Sequence, residues 1–217
     1  MDLAYYKAIE QQYEQQSFST DKEFQLIAGT IPILVSAPHS VTHFREGKQK
    51  IGEFMTAALA IRLHELTGCS YITKMHNNGT DPNFDTWHPY KDTIVHYVQT
   101  QHVQVVLDLH IMSSKREANI EIGTGKGKNL FGQTRLVQEL LDAFKDQALQ
   151  PIIVDELFTG GNPNTVSSTV ARQCGIPVIQ LEINWRLLDT SSPSQQIDRI
   201  VNALQQFIES NKKPARA

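Results

Sequence analysis

IPILVSAP, residues 31–38, is almost continuously apolar. A strand written this way is covered on both faces. On its N-terminal side stands FQLIA, then the link Gly29-Thr30. Two extended runs around a two-residue Gly-containing link predict a hairpin. Further back, Leu3, Tyr6, Ile9 and Tyr13 recur at spacings of three and four, which predicts an amphipathic helix over Leu3–Gln16, within an N-terminal helical segment 1–20. On the C-terminal side the apolar pattern alternates between periods. A helix is expected over Lys48–Leu66, closed by Gly68. A short strand YITKMH follows, then a polar loop, NNGTDPNFDT (77–86), broken by Gly, Pro and Asp. Trp87–Gln101 reads as a helix, and VQVVLDLH and ANIEIGTG as strands. After them come a helix over Leu130–Gln147, the strand PIIVDELF, a short helix over Val166–Gln173, the strand IPVIQLEIN and a last helix over Ser194–Glu209.

Strands and helices alternating after residue 30 predict an α/β fold: a mostly parallel, mixed central sheet with helices on both faces and an antiparallel edge hairpin near the N-terminus. The 217 residues suit one domain, 1–217, with 211–217 (NKKPARA) as a loose tail. Hydrophobic residues at 40% and charged residues at 20% describe an ordinary globular chain. A net charge of −3 and the lack of a basic stripe argue against nucleic-acid binding. The longest apolar runs, Ile31–Pro38 and Val103–Leu109, are too short to span a bilayer, so no membrane partner is expected. The polar start MDLAYYKAIEQQ does not read as a signal peptide, and two cysteines, Cys69 and Cys174, make no disulfide framework. A reducing compartment, the cytoplasm, is the expectation.

Ligands of open α/β sheets bind beyond the carboxyl ends of the strands. Those ends carry His39, His76, His110, Thr159-Gly160-Gly161, and Glu182 with Asn184, Trp185 and Arg186. Two histidines, a glutamate and an arginine thus converge on one edge. Neutral imidazole and carboxylate are zinc ligands, and a catalytic site leaves one position open. His39 and His110 supply two ligands of such a site; the third is Glu53 or Glu46. Glu53 is preferred, because it opens a helix and is better fixed than a loop residue. Asp108 lies two residues before His110, on the same side of the strand, where it either orients that ligand or is a satisfied polar group at a strand end. Glu182 stands inside an apolar strand, which is costly for a carboxylate unless it is paired or functional. Its alternatives are a proton carrier in hydrolysis and an ion-pair partner for Arg186 or Arg172.

PHS at 38–40, REGK at 45–48 with Glu53 following, DLH at 108–110, the GG of FTGGN at 160–161, and LEIN followed by Arg186 form an ordered set. In that order and spacing they resemble the N-formylglutamate amidohydrolase family, over about residues 30 to 190. That family is similar in fold to zinc carboxypeptidases and aspartoacylase, a phosphorylase/hydrolase-like α/β architecture. The resemblance implies one zinc per chain on His39, His110 and a carboxylate, with Glu182 as general base. It implies a small N-acyl amino acid as substrate, with arginines on the substrate carboxylates. Arg45 and Arg186 are the candidates, with Arg116 and Arg172 behind them; Asn83, Gly160, Gly161 and Asn184 complete the expected substrate contacts. Position 42 is Thr where zinc carboxypeptidases place a glutamate three residues after the histidine, so Glu53 as third ligand comes from the amidohydrolases. Asn83 is followed by Phe84 where many of those amidohydrolases have Arg. A non-catalytic carboxylate-binding protein and a carboxypeptidase-like peptidase are the competing readings.

EIGTGKGKN is not a P-loop: three residues, not four, separate Gly123 from Gly127-Lys128, and Asn129 follows. It reads as a flexible turn rimming the site, with Lys126 and Lys128 able to attract an anion. No G-x-S-x-G elbow accompanies Ser40. His43, close to His39, is an auxiliary candidate.

Overall fold

A computed structural model describes residues 3–16 and 22–212. Its centre is a seven-stranded mixed sheet built from β1 (Phe24–Ile27), β2 (Ile33–Ala37), β5 (Ser70–Lys74), β6 (Val105–Met112), β7 (Ile120–Gly123), β8 (Ile152–Val154) and β9 (Val178–Asn184). The spatial order is β1-β5-β2-β6-β9-β7-β8. The β5–β2, β2–β6, β6–β9 and β7–β8 pairs are parallel; β1–β5 and β9–β7 are antiparallel. The expected fold class is therefore present. Every residue of β2, β5 and β9 is buried, as expected of strands covered by helices on both faces.

Helices α2 (Met55–Thr67), α4 (Arg135–Asp146) and α7 (Ile197–Ser210) share one core with Val35, Leu107 and Leu181. Helices α3 (Pro89–Gln101) and α5 (Val166–Cys174) pack with Leu34, Val106 and Val178 on the other face. Successive side chains of a strand point to opposite faces, so Leu34 and Val35 feed different cores. Local chemistry sets the helix ends. Pro89 opens α3 beneath His88, whose Nδ1 accepts from the Tyr90 N–H. Thr165 caps α5 by accepting from the Ser168 N–H, and Gly68 and Gly175 close α2 and α5 in left-handed conformations. The remaining helices are α1 (Leu3–Gln16), as expected, and the short α6 (Trp185–Leu188).

Two expectations need correction. The runs flanking Gly29-Thr30 do not pair with each other: β5 lies between β1 and β2, so the antiparallel edge is β1 on β5. A hairpin does stand nearby, β3 (His43–Arg45) with β4 (Lys48–Lys50). Its two-residue turn, Glu46-Gly47, has positive φ at both positions, the geometry that matches strand twist. That hairpin takes Lys48–Lys50 from the helix expected over 48–66, which starts at Met55. Of the tail, Asn211 is fixed, with its amide donating to Glu139 and to the Phe207 carbonyl. Residues 213–217, like 1–2 and 17–20 of the expected N-terminal segment, lie outside the described residues.

Candidate active site

His39 follows β2 in a turn held by Ser40, whose hydroxyl donates to the Ala37 and Lys74 carbonyls. The backbone N–H of Glu53 donates to the His39 carbonyl at 2.7 Å, bringing the residues before α2 back over the end of β2. His110 stands near the end of β6, beside Glu182 of β9 in the parallel ladder. Strand order thus sets three of the expected residues side by side, and one backbone bond adds the fourth.

Glu53 sits between the two imidazoles. Its Oε1 is 3.1 Å from His39 Nδ1, its Oε2 is 3.3 Å from His110 Nδ1, and Oε2 also accepts from the Ile111 N–H at 3.0 Å. Ligand atoms of His39, Glu53 and His110 lie within 4.8 Å of one another. The opposite ring nitrogens face other carboxylates. His39 Nε2–H donates to Asp81 Oδ1 at 2.8 Å, and His110 Nε2 is 3.4 Å from Asp108 Oδ2. Asp108 is itself held by the hydroxyls of Ser36 and Ser167. This pairing turns each Nδ1 inward and orients each ring from behind, which is how histidine ligands of a metal are supported. Two imidazole nitrogens and a carboxylate therefore fit a zinc-like cation. Glu46, the other candidate for third ligand, is exposed at the β3–β4 turn.

The same contacts set the electrostatics of the site. Burial opposes charging of His39 and His110, but the surrounding carboxylates outweigh it and raise both above the ordinary histidine range. Burial likewise opposes ionisation of Glu53 and Asp81, yet the histidines hold both well below the usual carboxylate range. Glu182, 6% exposed, is different: burial pushes its carboxyl up to about 7. Its one hydrogen bond here is from the Gln180 amide to Oε1, at 3.0 Å. A carboxyl balanced near neutral pH can both accept and release a proton. His43 stacks on His39 with centroids 4.0 Å apart, and burial, followed by its neighbour His39, lowers it to about 3. His39, His43 and Asp81 form a second cluster of donors, but Arg45 Nε already donates to Asp81 Oδ2 at 2.8 Å and neutralises that carboxylate.

His39, Glu53, His110 and Glu182 open onto a cavity of about 350 Å³ that Arg45, Asn83 and Gly160 also line. Asn83 reaches both sides: its Oδ1 accepts from the Val166 N–H, and its Nδ2 lies 3.4 Å from His110 Nε2. Gly160 holds a φ of +64° at the cavity wall. Gly161, Asn184 and Arg186 are not brought to the cavity. Asn184 is fully buried, where its amide donates to the Arg116 and Ala118 carbonyls and its Oδ1 accepts from the Arg186 N–H. The Arg186 guanidinium donates to the Arg116 and Glu117 carbonyls and to Asn119, so it braces the loop before β7. Arg116 stacks over Phe158 at the cavity wall, and Arg172 is exposed on α5. The GTGKGKN turn supports the site from behind: Asn129 donates to the Gly160 carbonyl, and Lys126 and Lys128 are exposed away from the cavity.

Three residues escaped the sequence reading. Asp81 ties His39, His43 and Arg45 together from inside a polar loop that carries no periodic signal. Gln180 holds Glu182. Glu121, in β7 opposite Glu182, accepts the backbone N–H groups of Glu156, Leu157 and Phe158 and so shapes the cavity wall. A carboxylate within an apolar strand, the signal that singled out Glu182, also marks Glu121.

Comparison with known proteins bears out the resemblance. Residues 83–188 match the family model of N-formylglutamate amidohydrolase. That segment holds His110 and Glu182; His39, Arg45 and Glu53 precede it. The fold is similar to that of N-formylglutamate amidohydrolase from Ralstonia eutropha, at 13% identity and TM-score 0.57, over 87% of this chain and 97% of that one. It is similar to bacteriophage poly-gamma-glutamate hydrolase, at 14% identity and TM-score 0.56, over 90% and 93%. A metallo-carboxypeptidase from Burkholderia cenocepacia shares it at 10% identity and TM-score 0.51, over 96% of this chain and 67% of that one. Comparison with curated protein sequences gives no match.

Proposed function

We propose that this chain is a metal-dependent amidohydrolase that cleaves a small N-acyl amino acid, with His39, Glu53 and His110 as the metal ligands. The observation that carries the reading is the inward convergence of His39 Nδ1, His110 Nδ1 and the Glu53 carboxylate, beside a buried Glu182 poised near neutral pH. A bound zinc ion would polarise the amide carbonyl and acidify water.

The remaining work falls to the chain. Glu182 takes a proton from the attacking water as the C–O bond forms. It returns that proton to the nitrogen as the C–N bond breaks, and the acid's remaining proton passes to the amine, so the products leave as a carboxylate and an ammonium. Arg45, whose Nε is anchored on Asp81, offers the rest of its guanidinium to a substrate carboxylate. Asp81 and Asp108 hold the ring orientations. Among the described residues no helix is long and apolar enough to cross a membrane. Cys69 and Cys174 are free thiols, which suits a reducing compartment such as the cytoplasm.

The test is metal content together with turnover of N-acyl amino acids, on the wild type and on Glu182→Gln. Expected is about one zinc per chain in both proteins, with turnover in the variant lower by about 10²- to 10⁴-fold. Undiminished turnover in Glu182→Gln removes the assigned base. A wild type that takes up no metal from added zinc returns the histidines to a structural role.

A further inference from the structure

The reactive cavity has a second lobe. A larger cavity, about 610 Å³, shares Glu53, Ile111, Met112 and Ser113 with the first, so the two adjoin along these residues with Glu53 between them. Ile51, Phe54, Ile111, Met112 and Trp185 give the second lobe an apolar lining. Ile51, at the end of the β3–β4 hairpin, is 83% exposed. Grouped with Phe54, Ile111, Met112 and Trp185, it makes a contiguous apolar surface beside the reactive centre, suited to an apolar ligand.

Charge decides which half of a substrate faces which lobe. The first lobe contains Arg45, which suits a carboxylate. Every charged residue lining the second lobe is acidic, namely Glu10, Glu14 and Glu53, and repels one. The amino-acid half therefore belongs with Arg45 and the acyl half lies across Glu53. A formyl group would leave the second lobe empty. Resting on the amidohydrolase reading above, we infer that the substrate carries an extended apolar acyl chain, of several carbons, that lies in the lobe of Ile51, Phe54 and Trp185.

A fully buried methylene contributes about fourfold in affinity, and in an open groove about half that free energy, or twofold. From formyl to hexanoyl, five methylenes, binding should tighten on the order of thirty-fold. The chain has two tryptophans, so Trp87→Phe leaves Trp185 as sole reporter. Zinc-treated Trp87→Phe/Glu182→Gln protein is titrated with N-formyl-, N-acetyl- and N-hexanoyl-L-glutamate and followed by tryptophan fluorescence and calorimetry.

Supporting results are a Kd falling with acyl length, a Trp185 emission shift only for the longer chains, and loss of the length dependence in Ile51→Glu. A Kd independent of acyl length, with turnover of N-formylglutamate by the wild type, overturns this inference and leaves the amidohydrolase reading standing. Length-dependent binding without turnover of any of the three compounds by the wild type upholds the apolar lobe as a binding surface and overturns hydrolysis of N-acylglutamates.

Discussion

Asp81→Asn tests the site at its least accessible point. Asp81 is fully buried, and both its oxygens are in use. Oδ1 accepts from His39 Nε2–H at 2.8 Å and from the Asn83 N–H at 2.9 Å. Oδ2 accepts from Arg45 Nε at 2.8 Å, with His43 Nε2 3.6 Å away. Asparagine has one acceptor oxygen and one amide donor, so it cannot serve both sides. If its oxygen faces His39, its NH₂ meets the Arg45 donor head-on, and Arg45 is released. If its NH₂ faces His39, the ring changes tautomer and Nδ1 carries the proton, leaving no lone pair for a cation. Loss of such an orienting carboxylate lowers metal affinity by about 10- to 100-fold, equivalent to roughly 1.4–2.7 kcal/mol. The assay is competitive zinc titration against a chromophoric chelator at neutral pH, with circular dichroism to establish that the variant is folded. A folded Asp81→Asn protein whose zinc affinity stays within about twofold of wild type would show that Asp81 does not orient His39.

Two further outcomes follow from groups around the site. His88 is buried, its Nδ1 accepts from the Tyr90 N–H, and burial with Lys74 and Lys91 lowers it to about 3. Between its unfolded value near 6.5 and its folded value of about 3, the unfolded chain binds the extra proton, so stability falls as pH drops through that window, by up to about 1.4 kcal/mol per pH unit. His88→Asn keeps the cap acceptor without the titration and should flatten that acid limb in urea denaturation at a series of pH values; an unchanged slope refutes the assignment. Gly160→Ala puts a Cβ on a residue with φ +64°, 3.2 Å from Gln180 Cβ. It should cost about 1–2 kcal/mol, or about 2–4 °C in Tm per kcal/mol, and lower turnover through the Gln180–Glu182 bond. An unaltered melt and rate would show that the wall does not constrain Gln180.

Much of the fold was legible because continuous apolar strands and amphipathic helices announce themselves at short range. IPILVSAP and IPVIQLEIN lie buried where that pattern put them, as β2 and β9. The helix expected from Lys48 starts at Met55 because Lys48–Lys50 pair across the Glu46-Gly47 turn, and the positive φ values that make that turn leave no mark in the apolar periodicity. The pairing of β1 with β5 could not be read, since the hydrogen bonds of a strand do not record which neighbour receives them.

Within the site, His39, His110 and Glu182 stood out as polar residues at or near the ends of apolar strands, and strand order then placed His110 beside Glu182. Arg186 matched the same pattern and went elsewhere, to the Arg116 and Glu117 carbonyls, because a side chain just past a strand end can turn to either side of the sheet edge. The sequence by itself determined which residue types stand at the strand ends, because that depends only on local periodicity. Tertiary structure alone decided which of them meet. Glu53 reaches His39 through a backbone hydrogen bond between separate segments, and Asp81 arrives from a loop without regular structure, so both positions depend on long-range packing that no local pattern encodes.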